Sequence, residues 1–449
     1  MTSQISVLIL GAGCFGLSTA LELLSRGYKN VTLIDRAPEL PAPDAASTDL
    51  NKIVRSAYRK DAYTRLARES IKEWKTGDWD HAYHESGILG GGATGTPYSR
   101  AAQENDIAAG GRVTLLPTVE SIKSIFPAGI TIGEIAEAED RGQGITAKNS
   151  CYLNADGGWV EATTAMKALL RKVRAYEGHG VNILAGCRVT GLEIDADGSA
   201  AGVKIVRNEE QDQGKEGVLK ADVIVLATGA WSSSLFPDDS FGLSRLMKAT
   251  GQSVLSVQLT PEELAKYSTC PSFFDTATGL YTMPPTASGL LKWGLHHTGA
   301  LSSHKVSTPR TGLAADNTAP LNPNAKIGVD GAGVPCALIE TLRQVAYVGT
   351  PTPSTKTGLS TTTQITRVYS SQRGALATHS NVIDVGEKFL PVLGRVIADR
   401  LENKLDKESN ELFSFTRPRS AEHVERVGEH IRIDETQLST TADLRGVVA

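Results

Sequence analysis

A chain of 449 residues, 40% hydrophobic and 21% charged, with a formal net charge of −4, has an ordinary globular composition and length enough for two domains. It has no basic block of the kind that holds nucleic acid, and no apolar run near the roughly 18 residues needed to span a membrane. Its five cysteines, Cys14, Cys151, Cys187, Cys270 and Cys336, are widely scattered; they show neither zinc spacing nor a disulfide framework, which fits a reducing compartment and no metal site.

The first predicted element, Ile5–Leu10, is a short strand apolar on both faces. Gly11-Ala12-Gly13-Cys14-Phe15-Gly16 follows, then a helix pattern through Leu23 and a second apolar strand, Val31–Ile34, ending in Asp35. Each part of this order has a physical role in holding a dinucleotide. Gly11 makes the tight turn, Gly13 lets backbone N–H groups approach a pyrophosphate, and Gly16 lets the helix pack close to the strand. The helix N-terminus faces the phosphates with its partial positive charge. Asp35 stands about 20 residues on, where a carboxylate accepts from an adenosine ribose. A tight turn without a ligand is the alternative.

A Pro/Ala-rich loop leads to Thr48-Asp49-Leu50-Asn51-Lys52-Ile53-Val54-Arg55-Ser56-Ala57-Tyr58. Helical spacing of Leu66, Ser70, Ile71 and Trp74 predicts a helix over 63–74. His84–Leu89 reads as a turn into a strand, and Gly157-Gly158-Trp159-Val160-Glu161 precedes a helix over 162–176. A strand is expected at Val181–Ala185, followed by Val189-Thr190-Gly191-Leu192-Glu193-Ile194. Ala221–Leu226 is a further buried strand, closed by Ala227-Thr228-Gly229-Ala230-Trp231-Ser232, a small-residue turn suited to a strand returning to the nucleotide crevice.

Together, the glycine motif, Lys52–Tyr58, Tyr83–Leu89, Gly157–Ala162 and Val223–Ser233 resemble the FAD-dependent amine oxidases of the monomeric sarcosine oxidase group. That group includes pipecolate or saccharopine oxidases and the fructosyl-amino-acid oxidases. The resemblance covers about residues 5–300 and resumes from Gly386 to Leu401. It implies an α/β fold with a Rossmann-like FAD-binding domain interleaved with a mixed-sheet (α+β) substrate domain. The expected division is 1–90, 150–240 and 380–449 for FAD, 91–149 and 241–340 for substrate, and 341–385 as an aberrant or poorly ordered segment. The FAD-contacting residues it implies are Gly11, Gly13, Cys14, Phe15, Gly16, Asp35, Arg36, Lys52, Val189, Thr228, Gly229 and Trp231.

Gly289–His296 resembles the family strand that carries an active-site Lys and His. Strand alternation puts Lys292, Gly294 and His296 on one face, with Gly294 leaving room for a flat ligand. By resemblance, Lys292 lies under the reactive edge of the flavin, holds a water and stabilises the superoxide-like state, while His296 contacts substrate. Hydride leaves a carbon next to an amine, giving an imine, and oxygen is returned as peroxide. Arg55 matches the family Arg whose planar fork pairs with a substrate carboxylate. Lys52 matches a basic position lining the site, and Lys388 is a weaker candidate for the carboxylate. The plainer readings are an edge-strand Lys with a solvent-facing His, a solvated basic stretch with Arg59 and Lys60, and simple turn residues at Asp49 and Asn51.

The stretch from Val306 to Val385 departs from the family. Residues 350–381 are rich in Thr and Ser and lack apolar periodicity, which reads as a long polar loop. The hypothesis is that part of it stands in the wrong frame. Codons begun at the third base of Tyr347 through Pro353 allow Cys-Trp-Tyr-Thr-Asp-Thr. Those across Arg367 to Thr378 allow Gly-Leu-Phe-Val-Ala-Thr-Gly-Gly-Ser-Gly-His. These resemble, in order, the family's flavin-linking Cys segment and its Gly-rich flavin turn. The chain as it stands has no Cys at that position, and Cys336 lies in an unmatched context.

The expected activity is FAD-dependent oxidation of the C–N bond of a secondary amine or N-substituted amino acid by O2, with H2O2 released. The partners are then a small-molecule amine and O2, with no nucleic acid or membrane, and the expected state is a monomer. A catalytically impaired FAD-binding protein is the alternative; an NAD-dependent dehydrogenase fits the glycine motif alone. The first strand starts close to Met1, so no secretory leader is expected. The chain ends Val-Val-Ala rather than in a peroxisomal tripeptide, so a cytoplasmic location is expected, with a peroxisomal one open through the family.

Overall fold

The structure is a computed structural model. It describes residues 4–130, 151–232, 249–302, 363–371, 386–414 and 431–433, less 44, 77, 92–96, 129, 197–198, 208–215, 276–278, 297–299 and 387. In chain order the first elements are β1 (Val7–Leu10), α1 (Cys14–Ser25), β2 (Val31–Ile34), β3 (Lys52–Val54), α2 (Asp61–Trp74), β4 (Tyr83–His84), β5 (Ile88–Gly91), α3 (Pro97–Ala108), β6 (Val113–Leu115) and α4 (Val119–Lys123). Then come β7 (Tyr152–Asn154), β8 (Gly158–Val160), α5 (Ala162–Arg174), β9 (Val181–Leu184), β10 (Cys187–Ile194), β11 (Ala200–Arg207), β12 (Glu216–Lys220) and β13 (Val223–Leu226), followed by a 3-10 turn, Gly229–Trp231. The rest are β14 (Ala249–Gln258), α6 (Pro261–Tyr267), β15 (Ser272–Asp275), β16 (Leu280–Thr282), β17 (Leu290–Leu295), β18 (Ala300–Ser302), β19 (Thr363–Ser371), α7 (Leu390–Leu401), α8 (Lys407–Leu412) and β20 (Ile431–Ile433).

A parallel four-stranded sheet, in the order β13-β1-β2-β9, forms the nucleotide half. The two strands β1 and β13 are apolar throughout, as strands covered on both faces are, while β2 and β9 carry one polar residue each, Thr32 and Asn182. Val7, Ile9, Val31, Leu33 and Val225 pack with Leu17, Ala20 and Leu23 of α1 and Ala165, Leu169 and Val173 of α5. The alternate residues Leu8, Leu10, Ile34 and Leu226 pack against Cys187, Val189, Val203 and Ile205 of the antiparallel sheet β10-β11-β12. α7 crosses α1 at Gly394, where an added Cβ would lie 2.7 Å from the Ser18 carbonyl carbon. Ser18 Oγ donates to Leu390 O at 2.9 Å and accepts from Gly394 N–H at 2.8 Å, which locks the crossing.

The other half is a mixed sheet in the order β20-β18-β14-β17-β16-β15-β5-β7-β6, with β19 also paired to β14. A small antiparallel sheet, β3-β8-β4, joins the halves, and the Gly157-Gly158 pair lets it close. A Cβ on Gly157 would meet the Ile88 side chain at 2.7 Å, and one on Gly158 would lie 3.0 Å from Cα of Glu85.

The parallel-sheet half and the mixed sheet are interleaved along the chain, as the resemblance implies. Strand membership moves several expected edges: β5 (88–91), β7 (152–154) and β20 (431–433) all lie in the mixed sheet rather than with the nucleotide half. Residues 363–371, expected within a polar loop, form β19 in register along β14. Thr363–Ser371 is rich in β-branched residues, and pairing to a neighbouring strand needs no apolar alternation. The remaining residues of the proposed out-of-frame segment lie outside the described residues. Element ends differ slightly from expectation. α2 begins at Asp61, two residues early, and α5 ends at Arg174, two residues before Tyr176.

Candidate active site

The glycine loop has the geometry its sequence requires. Gly11 adopts φ +106°, and a Cβ there would lie 2.9 Å from the Ala227 carbonyl carbon at the end of β13. A Cβ on Gly16 would lie 3.0 Å from the Gly11 carbonyl carbon, so only hydrogen fits. Gly13 is different: its φ is −78°, and the nearest atom to an added Cβ is Ser47 Oγ at 3.7 Å. Gly13 is the N-cap of α1 and has no side-chain cap, and the first turn of α1 carries no acid. Its first N–H groups and its dipole therefore suit an anion.

Asp35 closes the loop from β2. Its Oδ2 accepts from Ala12 N–H and its Oδ1 from Ala37 N–H, each at 2.8 Å. Arg36 lies over the Trp231 ring, 4.4 Å from its centroid, which joins two expected cofactor residues from distant segments. Thr228 Oγ1 and Ser232 Oγ share a hydrogen bond of 2.6 Å, and Gly229 holds φ +54° with open space around it. Val189 is buried on β10 in the layer under the parallel sheet. Gly386 sits against the first turn of α1, where an added Cβ would come 2.8 Å from the Phe15 ring and 3.1 Å from Cys14 Sγ.

Two buried polar groups test whether a dinucleotide fits. Ser47 Oγ, beside Gly13, and both side-chain atoms of Asn51 are buried without a hydrogen-bond partner. Such groups are costly unless a ligand or water satisfies them. Both belong to the loop that runs from the phosphate end toward Lys52, so the residues present fit FAD.

At the far end of this loop lies a buried charge cluster. Lys292 on β17 is 1% exposed. Its Nζ donates to Asp49 Oδ2 at 2.6 Å and to Asn51 O at 2.9 Å. Lys52 Nζ donates to the same Asp49 oxygen, also at 2.6 Å. Burial alone would push the Asp49 carboxyl up; the charges and hydrogen bonds of Lys292 and Lys52 outweigh it and hold the carboxyl well below its usual range. Asp49, read as a turn residue, is thus the hub of the cluster. The i, i+3 spacing of Asp49 and Lys52 was the local signal available; the third member lies 243 residues away.

The open space expected over Gly294 is filled. The Tyr281 ring, across the β16–β17 pair, occupies the position of a Gly294 Cβ. His296 lies just past β17, and its ring packs edge-on to Phe274 at 5.7 Å. Phe274 in turn lies 5.0 Å from the Arg55 guanidinium. Lys292 therefore engages the Asp49 loop, while His296 belongs to the Arg55 side.

Arg55, 5% exposed, is the centre of that side. Its guanidinium lies 4.6 Å from the Tyr58 ring centroid and donates to Tyr98 Oη at 3.1 Å and to Ala57 O. It lines a small cavity with Tyr98, Tyr152, Asn154 and Phe274. Lys388 Nζ stands 6.0 Å from the same Tyr58 ring, and its carbonyl accepts from Ser70 Oγ at 2.5 Å and Trp74 Nε1 at 3.2 Å. Two of the cations expected to meet a carboxylate thus converge on Tyr58. The aromatic partners Tyr58, Tyr98 and Phe274 were not singled out from sequence, because nothing in their spacing marks them.

Fold and loop together have the form of a Rossmann-type dinucleotide-binding site. The family model of the FAD-dependent oxidoreductases (DAO) matches residues 6–346, and the chain belongs to that family. Among curated proteins it is 27% identical over 289 residues to L-saccharopine oxidase of Schizosaccharomyces pombe, covering 62% of each chain. It is also 27% identical over 334 residues to amino acid oxidase imqH of Aspergillus flavus, covering 65% of each. The chain thus spans under two thirds of these relatives. The fold is that of fructosamine oxidase (Amadoriase II) from Aspergillus fumigatus, with TM-score 0.72, 21% identity, and 98% and 97% of the two chains covered. Fructosyl peptide oxidase from E. terrenum aligns with TM-score 0.74 and 20% identity over 98% of each chain.

Proposed function

We propose that the protein oxidises the C–N bond of a secondary amine or N-substituted amino acid, passing the electrons to O2. Amine and O2 give imine and H2O2, and water then opens the imine. Bound FAD supplies the hydride acceptor. The observation that carries the reading is the buried Lys292 ammonium, presented by β17 to the loop that also borders Gly13. A fixed positive charge in a site shielded from water favours the reduction of oxygen. Arg55, held among Tyr58, Tyr98 and Phe274, takes the substrate carboxylate, with Lys388 beside it and His296 behind Phe274. Gly11, Gly13, Cys14, Phe15, Gly16, Asp35, Arg36, Val189, Thr228, Gly229 and Trp231 hold the dinucleotide, and Lys52 borders its flavin end. The names of the two curated relatives support an amino-acid substrate. We further take the enzyme to act as a cytoplasmic monomer, with residues 431–433 and the strands of the mixed sheet in its substrate domain.

A second reading is a flavoprotein impaired in catalysis. Two observations favour it: the family match ends at residue 346, one residue before the proposed change of frame, and Tyr281 fills the space over Gly294. Peroxide release decides between them. The purified protein is assayed with sarcosine, pipecolate, saccharopine and a fructosyl amino acid. Turnover of any one, dependent on Arg55, supports the oxidase; a flavin-loaded protein that releases no peroxide with all four supports the impaired form.

A further inference from the structure

We propose that Asp49 is the positioning residue of the lysine pair: a single carboxylate oxygen accepts from Lys292 and Lys52, fixing both and placing a counter-charge between two adjacent positive charges. The inference deepens the amine-oxidase reading and rests on it for its catalytic consequence.

The geometry points to Asp49 on three grounds. Oδ2 lies 2.6 Å from each ammonium nitrogen, so the two are drawn together at one atom. Oδ1 accepts from Leu50 N–H at 2.7 Å, so the carboxylate has no free rotation. The Asp49 carbonyl is pinned to the first turn of α5 by Thr163 N–H at 3.2 Å and Thr163 Oγ1 at 2.9 Å. The carboxylate is thus held before any ligand arrives, as a site-ordering group must be.

The charge consequence follows from position. Lys292 is the more deeply buried lysine, while the Lys52 side chain is 28% exposed. An ammonium buried beside a second ammonium loses its proton readily unless a counter-charge sits with it. Asp49 supplies that counter-charge. The register places Ser256 of β14, an uncharged residue, opposite Lys292. Asp49 thereby keeps Lys292 cationic at the pH where oxygen is reduced.

The test follows the ε-methylene signal of Lys292 in protein carrying 13C-labelled lysine, assigned with Lys292→Met. In Asp49→Asn the Lys292 titration midpoint is expected to fall by about one unit or more. Asp49→Glu, which keeps the carboxylate, is expected to restore it. Lys52→Met keeps Asp49 and removes the competing charge, so the midpoint is expected to rise. In the assay, the alkaline limb of the kcat profile is expected to move down in Asp49→Asn and return in Asp49→Glu. Folding of each variant is checked by circular dichroism, and Lys52→Met serves if Asp49→Asn does not fold. An unmoved Lys292 midpoint in folded Asp49→Asn, or in Lys52→Met, overturns the proposal. If the wild type turns over no amine, the function fails alone, because the lysine titration still reads Asp49.

Discussion

Four residues carry separable loads at the site. Gly13 has an ordinary φ and room for a Cβ, so Gly13→Ala is expected to change stability by no more than about 1 kcal/mol while weakening FAD retention. Gly11→Ala meets both a positive φ and the Ala227 carbonyl, and is expected to lose stability as well as FAD. Thermal melts of the apoprotein beside flavin content after gel filtration separate the two. At Arg55, replacement by Lys removes the planar fork and both ring contacts; KM for an amino-acid substrate is expected to rise about tenfold or more with a smaller change in kcat. Asp49 sets an acid limit. Its folded carboxyl titrates below the unfolded one, so its contribution is complete above the unfolded value near pH 4 and is lost as pH falls through the lower folded value. Acid unfolding followed by fluorescence is expected to lose this component in Asp49→Asn, whose stability is lower at neutral pH; a variant with the wild-type acid profile would contradict the assignment.

Among the elements, α1 is the one on which both the cofactor and the fold depend. Its N-terminus follows the glycine loop with no side-chain cap, and its far side crosses α7 at Gly394 with Ser18 between them. Gly394→Ala drives a methyl into the Ser18 backbone and is expected to cost about 1–3 kcal/mol, read as a lower melting temperature. Elements defined by local pattern were legible in the sequence: β1, the glycine turn, α1 and β2 are set by residues within one βαβ unit, and Val31–Ile34 matches its expected bounds. Elements and contacts defined by distant partners were not. β19 forms because β14 lies beside it, with little apolar pattern of its own. Asp49 looked like a turn residue because Lys292 is brought to it only by the packing of β17 on the 47–52 loop. The room expected over Gly294 followed from strand alternation, which says nothing of the cross-strand neighbour; Tyr281 fills it.

At the scale of the whole molecule, two sheets interleaved along the chain place the glycine loop and the buried Arg55 at opposite ends of one short segment, residues 47–55. No helix of the described residues is long and apolar enough to cross a membrane. The family match ends at residue 346, where the shifted codons begin to spell family-like sequence. Transcript sequence across residues 341–391 is expected to permit Cys-Trp at 347–349 in the shifted frame; codons that forbid it would remove the hypothesis. The central claim is that this chain binds FAD and reduces it with an amine. Its most direct test is anaerobic addition of an N-alkyl amino acid to the purified flavin-loaded protein, followed by visible absorbance. The expected result is bleaching of the flavin band, with recovery and peroxide release on admitting air. A flavin band unchanged by sarcosine, pipecolate, saccharopine and a fructosyl amino acid would contradict it.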